Sequence, residues 1–355
     1  MKNRIFILLL LAGFALVTCK NDDDNGINPP AGNLVFITED IDLPTTWYAD
    51  SIYIIEDWDF WVSDALTIQA GTIVKFRAGN YMTVDNFGTL IAQGTAEKPI
   101  IFTSIKDDAN GGDNNGDGNA TVPGRGDWGN VEVNSNGNKF QYCSFYYGGG
   151  SSYLSALEIY DGKASVTNCI FAHNKGGKSG DFYYGALDAT GSVGETIIKN
   201  NIFFDNHLPL SVLSTIDIDN SNQFHNPDEP TVKNTMNGIF VYDYDGIGKA
   251  TTWGETEVPF VINDNDLWIV SPGSLTLEQN VTVKFTPDSY LVIGIGANLN
   301  FFATNYFTSF KDDLHGGDTN GDEDATSPSD GDWGGIYSDA TSAYMSESTI
   351  LYDSN

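Results

Sequence analysis

Residues 106–129, KDDANGGDNNGDGNATVPGRGDWG, and residues 311–334, KDDLHGGDTNGDEDATSPSDGDWG, align without a gap, agree at 16 of 24 positions and lie 205 residues apart. The likeness reaches further. Thr45-Thr46-Trp47 is echoed by Thr251-Thr252-Trp253, residues 66–76 (LTIQAGTIVKF) by 275–285 (LTLEQNVTVKF), and 100–108 (IIFTSIKDD) by 305–313 (NYFTSFKDD), at offsets of 206, 209 and 205. A block of roughly a hundred residues is therefore written twice, with its insertions and deletions between strands, so the fold must be one in which a unit can be repeated along a line. Between these motifs run short alternating segments such as YIIED, TIVKF, YMTV and TLIAQ, punctuated by Gly, Asn and Asp, and no sustained helical period follows the first 18 residues. The 38 glycines, 17 tyrosines and 21 phenylalanines favour strands and turns. An all-β chain of this kind can be a sandwich, a barrel or a solenoid.

The region between the copies decides. QYCSF, TNCIF, KNNIF and NSNQF place Phe145, Phe171, Phe203 and Phe224 at steps of 26, 32 and 21 residues, each two residues after Cys143, Cys169, Asn201 or Asn222. Residues two apart on a strand share a face, so each rung offers the same inward pair, and recurrence at such periods means stacked coils. Cys143 and Cys169 then fall in adjacent coils, where a disulfide and two buried thiols are both compatible with the spacing.

The motifs LTIQAGTIVKF (66–76), GTLIAQGTAEKPIIFTS (88–104), KDDANGGDNNGDG (106–118) and GDWGN (126–130) resemble those of right-handed parallel β-helix repeat proteins, in particular bacterial surface lipoproteins. The resemblance covers nearly all of residues 45–355 and implies a right-handed parallel β-helix with two long acidic insertions. The second copy departs from the pattern by losing the equivalents of Thr95 to Lys98 and by carrying Glu323 where the first has Gly118. Expected units are a signal peptide (1–18), a lipidated cysteine and tether (19–32), the first copy with additional coils (33–234), and the second copy continuing the same solenoid (235–355). The chain stops at ILYDSN where the first copy runs on into YYGGG. A short cap, a truncated product and a protein partner at that end are three readings of this difference.

Within the acidic loop, Asp113, Asn115, Asp117 and Asn119 occupy alternate positions, as do Asp318, Asn320, Asp322 and Asp324 in the second copy. Oxygens at positions 1, 3 and 5, with a backbone carbonyl at 7, suit a seven-coordinate hard cation. Calcium is the expected occupant of both loops, in a structural role. The bidentate glutamate that closes an EF-hand is missing, since Gly124 and Ser329 stand in its place. Asp107, Asp108 or Asp127, and Asp312, Asp313 or Asp332, are the candidates for the remaining ligands.

A basic start (Lys2, Arg4) and an apolar run make residues 1–18 a signal peptide. Leu16-Val17-Thr18-Cys19 resembles the lipobox of bacterial lipoproteins, which implies lipid anchoring at Cys19. Lys20-Asn21-Asp22-Asp23-Asp24 looks like the acidic tag of lipoproteins displayed on the outer face of the outer membrane. With 48 acidic against 17 basic residues and a net charge of −31, nucleic acid and anionic lipid surfaces are excluded as partners.

Other constellations carry less. Arg125-Gly126-Asp127 spells an adhesion tripeptide, but the second copy reads Asp330-Gly331-Asp332, so the Gly-Asp belongs to the repeated turn. The four histidines have no metal-ligand spacing. Tyr146, Tyr147, Tyr183 and Tyr184 fall near coil edges, where aromatic rings stack on sugars or on one another. A uronate lyase needs cationic groups to neutralise its substrate, and after the signal peptide only Arg77, Arg125 and 13 lysines remain. The sequence therefore points to a non-catalytic binding or adhesion module for glycans or a cell-surface component. A polysaccharide lyase or hydrolase is the second reading and a structural spacer the third.

Overall fold

The structure, a computed structural model, describes residues 33–150, 154–180, 182–193, 195–263 and 266–354. The expected signal peptide, Cys19 and tether lie outside the described residues. Among the described residues there is no helix, and the strands collect into sheets of seven, ten and six strands plus smaller ones. Every neighbour pair in the three large sheets is parallel. The architecture is the all-β parallel β-helix expected from the sequence.

Each coil contributes one strand to each of three faces. Thr45–Trp47, Ser51–Ile55 and Asp59–Val62 form one coil, and Ala65–Ile68, Ile73–Phe76 and Tyr81–Val84 the next. The partners Thr45↔Leu66, Ile52↔Ile73 and Phe60↔Met82 give 21, 21 and 22 residues per turn. Alternation does the sorting: Leu66 and Ile68 are buried in the tube while Thr67 between them faces water.

Parallel stacking puts like residues above like. Phe102, Phe145, Phe171, Phe203 and Phe224 form one internal column with successive ring centroids 4.7, 4.9, 5.1 and 5.3 Å apart. At the corners, asparagines do the same in polar form. Asn174 donates to Asn206 Oδ1 and to the carbonyl of Phe145, Asn206 to Asn234 Oδ1 and the carbonyl of Phe171, and Asn201 to Asn222 Oδ1 and the carbonyl of Val166. Each amide satisfies a backbone carbonyl that the bend takes out of the ladder. Cys143 and Cys169, at the head of the Asn201 and Asn222 column, are buried free thiols, and burial raises the Cys143 thiol well above its ordinary pKa.

The two copies do not sit on the same faces. In the first, the middle strands Ser51–Ile55, Ile73–Phe76 and Ile100–Ser104 belong to the seven-stranded sheet, which ends at Ile202–Phe204. Their counterparts Phe260–Ile262, Thr282–Phe285 and Tyr306–Ser309 instead continue the ten-stranded sheet. A new sheet opens beside them at Leu267–Ile269. The repeat is thus advanced by one face along the tube, and its two acidic loops leave from different sides.

Replacing Phe171 by alanine removes the ring held between Phe145 and Phe203, and the cost should be about 3–5 kcal/mol, as for other buried aromatic truncations. Guanidinium unfolding of the F171A variant measures it; a loss below 1 kcal/mol would mean the column packs loosely.

Candidate functional site

Each acidic loop leaves the tube between the second and third strands of its coil, after Ile100–Ser104 or Tyr306–Ser309. It folds back over the outer surface of the sheet just left. Gly111 comes so near Ile52 and Ile73 that an added Cβ would lie 2.8 Å from Ile52 Cδ1, and its φ of +85° is one that side chains disfavour. Beneath the first loop Ile52, Ile54 and Ile105 form a small outer cluster. Beneath the second, Phe240, Val261 and Met236 do so.

A lysine is buried under each loop. Lys75 Nζ donates to the carbonyls of Asp107 (2.8 Å) and Gly112 (2.9 Å), and Lys284 Nζ to the carbonyl of Gly317 (2.6 Å) and to Thr319 Oγ1. Burial pulls both ammonium groups down to about 8, against the attraction of the neighbouring aspartates. These lysines tie the loop neck to the sheet. Sequence reasoning missed them, although each occupies the outward slot of a KF pair, IVKF and TVKF, repeated in both copies.

The tight turn is organised by its first aspartate. Asp113 Oδ1 accepts from the amides of Gly116 (2.7 Å) and Asp117 (3.2 Å), and Oδ2 from Gly118 (2.8 Å). Asp318 does the same with Gly321, Asp322 and Glu323. These bonds, that of Gly118 foremost, hold the Asp113 carboxyl below its ordinary pKa. Asn115 and Thr121 donate to Asp117 Oδ2, and Asn320 and Thr326 to Asp322 Oδ2. Glu323 follows the path of Gly118 at φ +55°, a left-handed conformation that costs a side-chain-bearing residue roughly 1–2 kcal/mol.

Three carboxylates meet in each loop: Asp108, Asp113 and Asp117 in the first, Asp313, Asp318 and Asp322 in the second, with one oxygen of each within 4.8 Å of the others. Asp108 Oδ1, Asp117 Oδ1 and Asp313 Oδ1 are shut off from solvent and accept no hydrogen bond. Burial first, then the neighbouring aspartate charge, raises the pKa of Asp108. The other candidate ligands are placed elsewhere. Asp107 and Asp312 are buried in the neck, accepting from Thr103 and Asn110 or from Thr308 and His315. Asp127 and Asp332 close the base through Lys106 and Ser104 or Lys311 and Ser309. The side chains of Asn119 and Asp324 are exposed. Trp128 and Trp333 enter the core, stacked on Phe76 and Phe285 at 4.2 and 4.0 Å.

The four tyrosines do not form one surface. Tyr147 stacks on His173 with Tyr146 beside it. Tyr183 is buried over Phe240, its ring spent on packing. Tyr184 faces Asp188 and Glu158, whose charges, after burial, raise its pKa. Arg125 is ion-paired to Asp205, which also binds His173, so the adhesion tripeptide is not presented as a free loop.

A family model described as a pectate-lyase-like β-helix domain matches residues 40–153, the first coils and the whole first loop. The chain is a parallel β-helix protein. No curated protein and no solved structure matches it.

Substituting Lys75 by methionine should destabilise the metal-free protein by about 3 kcal/mol, because it leaves a buried carbonyl pair and three carboxylates without their cation. A denaturant titration checks this; an unchanged midpoint would show that the lysine does not hold the neck.

Proposed function

We propose that this is a lipid-anchored β-helix displayed on the outer membrane surface, stabilised by two structural calcium ions and acting as a non-catalytic binding module for glycans or a cell-surface component. The observation that supports it is the pair of matching carboxylate groups. Asp108, Asp113 and Asp117 carry three negative charges against the one ammonium of Lys75, leaving the charge that one divalent cation would balance. The shielded, unbonded oxygens of Asp108, Asp117 and Asp313 are ready ligands, and leaving such atoms unpaired is costly. Oxygen donors alone favour calcium over softer metals. Asn115 Oδ1 accepts from the amide of Asp117, so the side chain that spacing alone would make a ligand helps to shape the turn.

The lipid anchor and display rest on the signal peptide, Cys19 and the acidic stretch after it. A long, strongly acidic tube held off the membrane by a short tether suits recognition outside the cell, where calcium is abundant.

At calcium a hundredfold above the dissociation constant, linkage predicts about 2.7 kcal/mol of added stability per site. Chelation should lower the melting temperature, readded calcium should restore it, and Asp113→Ala with Asp318→Ala should abolish the response. A midpoint indifferent to chelator, with no calcium in elemental analysis, would remove the metal. Palmitate labelling that persists in a Cys19→Ser variant would remove the anchor.

A further inference from the structure

On the outer face of the ten-stranded sheet, parallel register sets Thr83, Glu132, Glu158, Asp188 and Ser211 in one outward row. Neighbouring rungs are roughly 4.8 Å apart, so three carboxyl groups follow one another along the tube axis. The antiparallel hairpin Gly177–Ser179 and Phe182–Tyr184 lies over the far end of the row, with Tyr183 stacked on Phe240 in the rung beyond Ser211 and the amide of Gly185 donating to Ser211 Oγ. It sets Tyr184 within the field of both Asp188 and Glu158. Asp188 is closed in, bonded to Thr190 and Ser211. Glu132 and Glu158 keep part of their surface in solvent.

Beside the row, where four consecutive rungs turn off the sheet, lies a groove of about 650 Å³. Its rims are Tyr160 and Tyr244, 60% and 62% exposed, and its floor includes Thr190, the residue bonded to Asp188. Two exposed rings facing one groove are rarely needed for packing. Within the row the fully buried Asn130 donates its Nδ2 to Glu158 Oε2 at 3.0 Å and holds that carboxyl group in place.

We infer that this row and the tyrosine-rimmed groove beside it form a binding site for a neutral glycan. This rests on the glycan-binding reading above and fixes the class of ligand. The charges acting on Glu158 are those of Asp188 and Glu132, both negative, so a uronate chain would be repelled. Hydroxyl groups can donate to the partly exposed carboxyl groups of Glu132 and Glu158 without bringing charge, and sugar faces cover the exposed rings. Burial, helped by the two neighbouring acids, raises Glu158 to about 8, so at neutral pH it keeps a proton and gives the row a donor. A bare divalent cation is the poorer occupant: among the described residues, the groups of three acids whose oxygens converge within 4.8 Å are those of the loops.

Affinity electrophoresis of the full chain at neutral pH, with calcium present, tests this in gels containing β-glucan, mannan, xylan or polygalacturonate. At least one neutral polymer should retard the protein and polygalacturonate should not. The Tyr160→Ala, Tyr244→Ala double variant should bind at least tenfold more weakly with its melting temperature kept, and Glu132→Gln, at an open position, should weaken binding in the same gels. Neutral-polymer retardation that survives these substitutions, or retardation by polygalacturonate, overturns this site while leaving glycan binding intact. Retardation by none of the four polymers overturns the neutral-glycan inference together with the glycan reading on which it rests.

Discussion

In-register parallel stacking is the constraint from which the rest follows. Once coils of 21 or 22 residues lie directly above one another, any side chain recurring at one slot becomes a column about 4.8 Å in period. Apolar slots then yield the phenylalanine column, and polar corner slots the asparagine columns that absorb the carbonyls of the bends. An acidic slot yields a row of carboxyls in which burial and the neighbouring acids raise Glu158 to about 8. The same rule stabilises the core and concentrates unfavourable charge outside it.

The acidic loops are the other consequence. A tube of stacked coils leaves the outer faces of its sheets bare, and both loops return to cover part of that surface with a glycine-rich neck bonded to a buried lysine. The copies agree bond for bond around Asp113 and Asp318, although they leave from different faces. Their shared geometry is therefore set by the loop and the strand beneath it rather than by a common neighbouring surface.

The solenoid was legible because its signals are local: alternation, turn residues and the recurring pair ending in Phe145, Phe171, Phe203 and Phe224. The advance of the second copy by one face was not, since it depends on where the seven-stranded sheet ends and a new one opens, which no short motif records. In the loops, spacing singled out Asp113, Asn115, Asp117 and Asn119 alike and left Asp107, Asp108 and Asp127 equivalent. Only the path of the neck turns Asp108 toward Asp113 and Asp117 and buries Asp107 against Thr103. Glu132, Glu158 and Asp188 lie 26 and 30 residues apart and share no motif, so register alone unites them. The burial of Lys75 was not legible, because nothing in its strand shows that a loop covers it.

Residue-resolved hydrogen exchange, with and without calcium, tests the central claim most directly. The account predicts that the amides of Gly116, Asp117 and Gly118 and those of Gly321, Asp322 and Glu323 gain protection when calcium is added, while the amides of the core strands change little. Equal exchange at all six positions in both conditions would contradict it.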